Sequence, residues 1–153
     1  MGSCTDKMHK VEDIRAFIKG FPRPHYLTGN ADYVENDEGI LLRTSAIFPS
    51  SDPSIGDRKD HANVSHCLFG LWNATHVIAS FRGNYRTLAR KVEIEALRIT
   101  PPDTPIDLSV RVSNIQHGKH KDKETISCDV NAEYSLDRKV LEKIYVQGYL
   151  IEK

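Results

Sequence analysis

Four residues between positions 60 and 80 carry the side chains of this sequence that are best suited to chemistry. They are Asn63, His66, Gly70 and Asn73. Their spacings of three, four and three residues place them on one face if the segment is a helix. Histidine can act as a base near neutral pH, and an asparagine amide can orient a water molecule. The pattern therefore predicts a polar helical stripe that is able to hold and activate water.

The segment 60–80 has apolar residues at helical spacing over its whole length, so we expect a long, buried helix there. Its core face carries Val64, Cys67, Leu68, Leu71, Thr75 and Ile78. Trp72 lies at the border of that face. The helix is thus predicted to have two sides, an apolar core face and the polar stripe.

The segments around this helix mostly alternate between apolar and polar residues, which is typical of antiparallel strands with one solvated face. Two strands are predicted before the helix and four after it, at 26–34 and 40–48, then at 90–99, 106–115, 125–134 and 141–152. The polar segment 116–123 is predicted to be a hairpin tip, and the Pro/Gly/Ser-rich segment 49–59 a loop. A short amphipathic helix is predicted at 11–20.

This order of elements resembles the hotdog fold, in which a curved antiparallel sheet wraps around one long central helix. The resemblance covers residues 26–153, and the TPPDTP turn at 100–105 and the last strand are similar to that fold too. We therefore expect an α+β protein with a flexible N-terminus at 1–10 and a single hotdog domain at 11–153. A domain of this size can bury a sizeable core.

The resemblance to hotdog proteins also implies a function. Most of them are homodimers or larger oligomers that act on acyl thioesters of coenzyme A or of acyl carrier protein, at a site near the start of the central helix. Thioester hydrolysis needs a donor that polarises the carbonyl group and a group that holds or deprotonates water. Backbone N–H groups at a helix start are unpaired and can serve as the donor.

The expected catalytic residues are His61, Asn63, His66 and Asn73, and the expected substrate-binding residues are Asp60, Gly70 and Trp72. Glycine in mid-helix is about 1 kcal/mol less favourable than alanine. Gly70 would be explained if a partner helix or an acyl chain packs closely against it.

The run 60–66, DHANVSH, resembles the Gly-His-aromatic-Asn-Ala-Val-Glu helix entry of FcoT-like fatty-acyl-CoA thioesterases. His61 and Asn63 match that entry position by position. In the family the asparagine at this place is thought to help hold the hydrolytic water, and the resemblance implies the same role for Asn63. The spacing of the family's second helix asparagine falls on Trp72, one residue before Asn73, and His66 stands where the family has glutamate.

Two other functions fit the sequence. Hydroxyacyl-thioester dehydratases pair a loop histidine with a helix carboxylate, but segment 62–80 contains neither Asp nor Glu. This ranks dehydration lower, unless Asp57 or Asp60 substitutes. A non-catalytic acyl-binding hotdog protein is the alternative from a different class. Structural roles also stay open, since Asn63 can cap the helix, His66 can be a hydrogen-bonded core residue, and Asn73 can make a structural hydrogen bond.

Composition excludes several classes of partner. Lys plus Arg and Asp plus Glu each number 21, so the formal net charge is zero, and no basic stripe favours nucleic acid. No apolar run reaches the roughly 20 residues of a membrane span, and the N-terminus lacks an apolar leader. The three cysteines form no CxxC pair and the histidines form no recognised metal set. We expect a cytoplasmic protein without metal, cofactor, nucleic-acid partner or membrane contact.

Overall fold

The computed structural model describes residues 7–11, 26–51, 64–83 and 85–152. These ranges hold seven strands and one helix. In chain order the elements are β1 (Lys7–Val11), β2 (Leu27–Asn36), β3 (Gly39–Ala46), α1 (Val64–Arg82), β4 (Tyr85–Ala96), β5 (Ile106–His120), β6 (Lys123–Leu136) and β7 (Lys139–Glu152).

The seven strands form one sheet in the order β1-β2-β3-β5-β6-β7-β4, and every neighbouring pair is antiparallel. Strand β4 follows the helix and pairs with β7, so it forms the edge of the sheet opposite β1. The sheet is curled into a half-barrel, and α1 packs against its apolar face. The mixture of one antiparallel sheet and one helix confirms the predicted α+β class for the described residues.

The inner face of the sheet follows the alternation seen in the sequence. On β5 and β6 every second side chain is buried: Ile106, Leu108, Val110 and Val112, then Ile126, Cys128, Val130, Ala132 and Tyr134. Strand β3 continues this face with Ile40 and Leu42. Period-two alternation therefore predicted correctly which side chains of these strands face the core.

Helix α1 spans 19 residues, and the three described residues of the polar stripe lie inside the core. The buried side chains include both predicted sides of the helix: His66, Gly70 and Asn73 from the stripe, and Cys67, Leu71 and Ile78 from the core face. At 100° per residue these two sets adjoin, so they form one continuous buried surface. Leu68, Trp72 and Thr75 are only half-buried.

At Gly70 the helix lies in close contact with a side chain of the sheet. The hydroxyl group of Tyr134 on β6 donates a hydrogen bond to the backbone oxygen of Cys67 at 2.6 Å. A methyl group at Gly70 would collide with that hydroxyl group. The group that packs against Gly70 is therefore a tyrosine of the same chain, in the space where the sequence suggested a partner helix or an acyl chain.

Asn73 ties the helix to the start of β2. Its Oδ1 atom accepts a hydrogen bond of 2.9 Å from the backbone N–H of Tyr26, and both residues are buried. A buried backbone N–H group needs such an acceptor, because its removal from water is otherwise uncompensated. The structural hydrogen bond considered for Asn73 is thus present.

The N-terminal part differs from the expectation. Residues 7–10, expected to be loose, form most of β1, which pairs with β2 from Lys7↔Glu35 to Val11↔Ala31. Val11, the first residue of the predicted short helix, is the last residue of this strand. The rest of that predicted helix, 12–20, lies outside the described residues.

The hairpins are longer and tighter than predicted. The segment 116–123 is largely strand, because β5 and β6 pair as far as His120↔Lys123 around a two-residue turn. Both turn residues, Lys121 and Asp122, have positive φ (50° and 65°), as the common two-residue hairpin turn requires. Polar residues on both faces obscured these strands in the sequence, since beyond the core neither face is buried.

Strand β4 also begins and ends earlier than predicted. It starts at Tyr85, and its bulge lies between Ala89 and Lys91. The loss of alternation at Leu97, which suggested a bulge, marks the end of the strand. There the backbone N–H groups of Leu97 and Arg98 both donate to the carbonyl oxygen of Leu141.

Gly70→Ala should lower the free energy of unfolding by about 1–3 kcal/mol, because the new methyl group meets the Tyr134 hydroxyl group in a packed core. Tyr134→Phe alone should cost about 1 kcal/mol through the lost hydrogen bond. The double variant relieves the collision, so its loss should be smaller than the sum. Urea denaturation measures all three, and strictly additive losses would contradict the packing described.

Asn73→Ala should lower the free energy of unfolding by about 1–3 kcal/mol, because it removes the acceptor of the buried Tyr26 N–H group. The matched control is Asn131→Ala on β6, where the side chain is exposed and the change should stay within about 0.5 kcal/mol. Equal effects of the two substitutions in denaturant titrations would count against the role of this hydrogen bond.

Candidate functional site

The structure describes four of the seven residues that the sequence singles out. Asp60, His61 and Asn63 lie outside the described residues, so their roles stay predictions. The described four all lie on α1 and are His66, Gly70, Trp72 and Asn73. They do not share one environment, because the first, second and last face the core while Trp72 is half-buried.

His66 lies in the first turn of α1 and is only 1% exposed. Its ring packs edge-on against two aromatic rings, with centroid distances of 5.8 Å to Tyr26 and 6.2 Å to Phe48. Neither aromatic residue was identified from the sequence as part of the site. Because bulk water is excluded here, any proton that His66 exchanges has to pass to a neighbouring group or to a bound molecule.

The 100–105 turn fixes the position of Phe48. The backbone N–H group of Asp103 donates to the carbonyl oxygen of Phe48 at 2.9 Å, and the Asp103 carboxylate accepts from the Ser50 N–H group at 2.8 Å. Asp103 has a φ of 57°, which directs both groups at the end of β3. The Ser50 hydrogen bond lowers the pKa of Asp103. The turn thus holds an aromatic wall of the His66 site.

Asn73 lies two turns beyond His66 on the same face of α1. Its Oδ1 atom accepts the Tyr26 N–H group, so at least one of the two acceptor sites of that oxygen serves the fold. Tyr26 therefore contacts both described polar residues of the stripe, His66 through its ring and Asn73 through its backbone. The catalytic role of Asn73 stays a prediction.

An apolar cavity lies between the C-terminal half of α1 and the sheet. The cavity is narrow and opens to the surface. Trp72, Thr75 and Ile78 line it from the helix, and the sheet contributes mainly aliphatic side chains. None of the described lining residues is charged. Gly148 in its floor lets β7 approach β6, because a methyl group there would lie 3.2 Å from Cys128 Sγ and 3.3 Å from Val130 Cγ2.

Glu142 is a site residue that the sequence analysis missed. It lies on β7 and is only 3% exposed, in phase with the buried Ile144 and Val146. Its carboxyl group lies near the Cys67 thiol. The Sγ atom of that thiol is 4.0 Å from Thr100 Oγ1. Phasing the last strand would have revealed it, since an acidic residue in register with two core residues is unusual.

Burial dominates the electrostatics of this cluster. It raises the pKa of the Glu142 carboxyl group above its ordinary value, and the Cys67 thiol opposes this only in part. Burial, reinforced by the nearby Glu142, also raises the pKa of the Cys67 thiol far above its ordinary range. Cys67 therefore stays a protonated thiol at any physiological pH and is unsuited to nucleophilic attack.

Among the described residues, no group of three or more His, Cys, Asp or Glu side chains is arranged to hold a metal ion. Within the same part of the chain, no helix is long and apolar enough to cross a membrane.

Comparison with known proteins supports the fold. No family model matches the sequence, and no curated protein matches it either. Solved structures do match, among them a probable thioesterase from Bartonella henselae, with a TM-score of 0.58 at 15% identity over 74% of this chain and 91% of that one.

Two further structures extend this likeness. The yhdA protein of Lactococcus lactis, provisionally named a thioesterase, has a TM-score of 0.58 at 10% identity and covers 84% of this chain and 94% of its own. A hot-dog-like protein from Thermanaerovibrio acidaminovorans has a TM-score of 0.56 at 10% identity, over 76% and 84%. At such identities the likeness shows the fold alone, and it confirms that this chain has a hotdog-like fold.

Proposed function

We propose that the protein hydrolyses the thioester of an acyl-coenzyme A or an acyl carrier protein. The observation that carries this proposal is the division of α1 into a polar end and an apolar end. His66 and the Glu142–Cys67 contact lie at its first turn, whereas Trp72 and Ile78 line an uncharged cavity further along. His66 and Trp72 are six residues apart, about 9 Å along the helix.

This arrangement suits a substrate with a polar reacting group and an alkyl tail. Ligand pockets are mostly apolar with a few polar groups that fix orientation, and the cavity would take the acyl chain while the thioester faces the first turn. The names of the Bartonella and Lactococcus structures, which both refer to thioesterases, support the same reaction class. The choice between coenzyme A and carrier protein belongs to the proposal.

The roles of individual residues follow the sequence analysis. Asn63 would position water or the thioester carbonyl group, N–H groups at the helix start would polarise that carbonyl, and His61 or His66 would accept a proton. The narrower kinship with FcoT-like thioesterases is also part of the proposal. It rests on the run 60–66, of which 60–63 lie outside the described residues.

One observation favours a second candidate, hydroxyacyl-thioester dehydration. The sequence ranked it lower because the helix has no carboxylate, but Glu142 supplies a buried carboxyl group from β7 beside the first turn of α1. A histidine and a carboxyl group are the pair that dehydration uses. Formation of a conjugated enoyl thioester without release of free thiol would identify this reaction.

A panel of acyl-coenzyme A and carrier-bound thioesters should show release of free thiol by the wild-type protein. Asn63→Ala and His66→Ala should each lower the rate about 100-fold, since they remove groups proposed to act in the transition state. The matched control is His117→Ala, at an exposed position on β5. Circular dichroism would confirm that each variant is folded.

Two results of this assay would contradict the proposal. Saturable binding of acyl thioesters without turnover would show that the protein is a non-catalytic acyl-binding protein and not a hydrolase. Unchanged rates in both variants would leave hydrolysis in place and remove Asn63 and His66 from the mechanism.

We also propose that the protein is a homodimer or larger oligomer that associates through β4. This strand is a sheet edge, and five large apolar side chains in and after it are exposed, from 38% for Val92 and Ile94 to 70% for Ile99. An exposed apolar edge strand favours pairing with another chain. A second copy offers the same edge and can pair with it about a two-fold axis.

Ile94→Lys should shift the protein towards a monomer, because it places a charge in the proposed contact. Light scattering coupled to size exclusion measures the mass directly. Asn131→Lys, on an exposed position of β6, is the control and should leave the mass unchanged. A wild-type protein that is monomeric at high concentration would contradict association through β4.

A further inference from the structure

Glu142 occupies a position where an acidic residue has no structural advantage. It lies on β7 directly opposite Tyr134 of β6 and Ala96 of β4. Alternation puts its side chain on the inner face together with Ile144 and Val146. An aliphatic residue here would continue the core without the cost of burying a carboxyl group.

One oxygen of this carboxyl group, Oε1, has no hydrogen-bond partner. In the part of the chain that the structure describes, it is the one buried side-chain atom in this condition. The titratable groups that face it are Cys67 from α1 and Tyr134 from β6, and both stay protonated, because burial raises the pKa of each. No cation among the described residues compensates its charge.

Strand pairing places Glu142 near the start of α1, because Tyr134, its neighbour on β6, donates a hydrogen bond to Cys67 O. Cys67 is the fourth residue of α1, and the first four N–H groups of a helix have no acceptor within it. These N–H groups are the donors proposed to polarise the thioester carbonyl group. A proton acceptor and the carbonyl-polarising donors therefore occur at the same end of the helix.

We propose that Glu142 is a catalytic residue of this site, the general base that deprotonates the hydrolytic water in place of His61 or His66. The proposal rests on the thioesterase function proposed above. Glu142 Oε1 takes a proton from water as the water oxygen bonds to the thioester carbonyl carbon. The carbon–sulfur bond then breaks, the proton passes from Glu142 to the departing thiolate, and the products are a free acid and a thiol.

Two features of the cluster fit a base of this kind. Burial raises the pKa of Glu142 towards the working pH, which strengthens the carboxylate as a base. Cys67 does not compete with it, because its thiol is held in the protonated form. Attack by water is therefore favoured over formation of a covalent acyl-cysteine.

The substitution that tests this role is Glu142→Gln, which keeps the size of the side chain and removes the base. Thioester hydrolysis should show a kcat about 100-fold or more below wild type with KM little changed. The acidic limb of the wild-type pH–rate profile should disappear. Glu133→Gln, at an exposed position of neighbouring β6, is the matched control and should leave kcat and the profile unchanged.

The free energy of unfolding at two pH values distinguishes a catalytic role of Glu142 from a structural one. A carboxyl group whose pKa is raised on folding stabilises the protein below its ordinary pKa of 4.5, and this contribution is lost as the pH rises through the folded value. Glu142→Gln should therefore match wild type in urea denaturation near pH 4 and exceed it at pH 7. A variant that gains stability while it loses kcat is what a functional carboxylate predicts.

The outcomes are distinguishable. If wild type hydrolyses thioesters and Glu142→Gln does so equally well, or if the variant is less stable at pH 7 and its activity falls only with its folded fraction, Glu142 is not the base. If wild type releases no thiol from any thioester, the proposed function fails and the role of Glu142 fails with it.

Discussion

The contact between the Tyr134 hydroxyl group and the backbone of α1 sets the distance between helix and sheet. The hydroxyl group bonds to Cys67 O and occupies the space beside Gly70, where any side chain would intervene. Since close packing leaves few voids in a core, this contact limits how closely α1 and β6 can pack. The buried polar residues and the apolar cavity both lie along the helix held in this way.

Polar groups are unusually concentrated on the buried side of α1. His66 and Asn73 lie in the core, and Glu142 reaches it from β7. Asn73 is explained by a structural hydrogen bond to Tyr26, whereas a carboxyl oxygen without a partner destabilises the fold and has no packing role. Such groups tend to persist where function requires them, as stability and activity often conflict at active sites.

Much of the fold followed from sequence because the core segments of β3, β5 and β6 alternate between buried and exposed residues and the helix is strongly apolar. Period-two alternation alone predicted which side chains of β3 and β5 face the core: Ile40 and Leu42, and Ile106, Leu108, Val110 and Val112. The hairpin ends were missed because strands beyond the core carry polar residues on both faces, which removes the pattern.

The candidate site was less predictable, because its groups come from distant parts of the chain. Helical spacing found His66 and Asn73, but Tyr26, Phe48 and Glu142 join them only through sheet pairing and the 100–105 turn. Segment 62–80 indeed contains no Asp or Glu, but a carboxyl group reaches the helix from β7. The acidic group lies on the strand that packs against the helix, which helical periodicity cannot reveal.

Substitutions in the tight turns of this protein could raise its stability at positions far from the candidate site. Lys121 and Arg138 have positive φ, which long side chains adopt at a cost of about 1 kcal/mol or more. Asparagine and glycine adopt it readily. Substitutions to asparagine or glycine in these exposed turns could therefore offset destabilising substitutions around α1. The candidate site can then diverge while the fold persists.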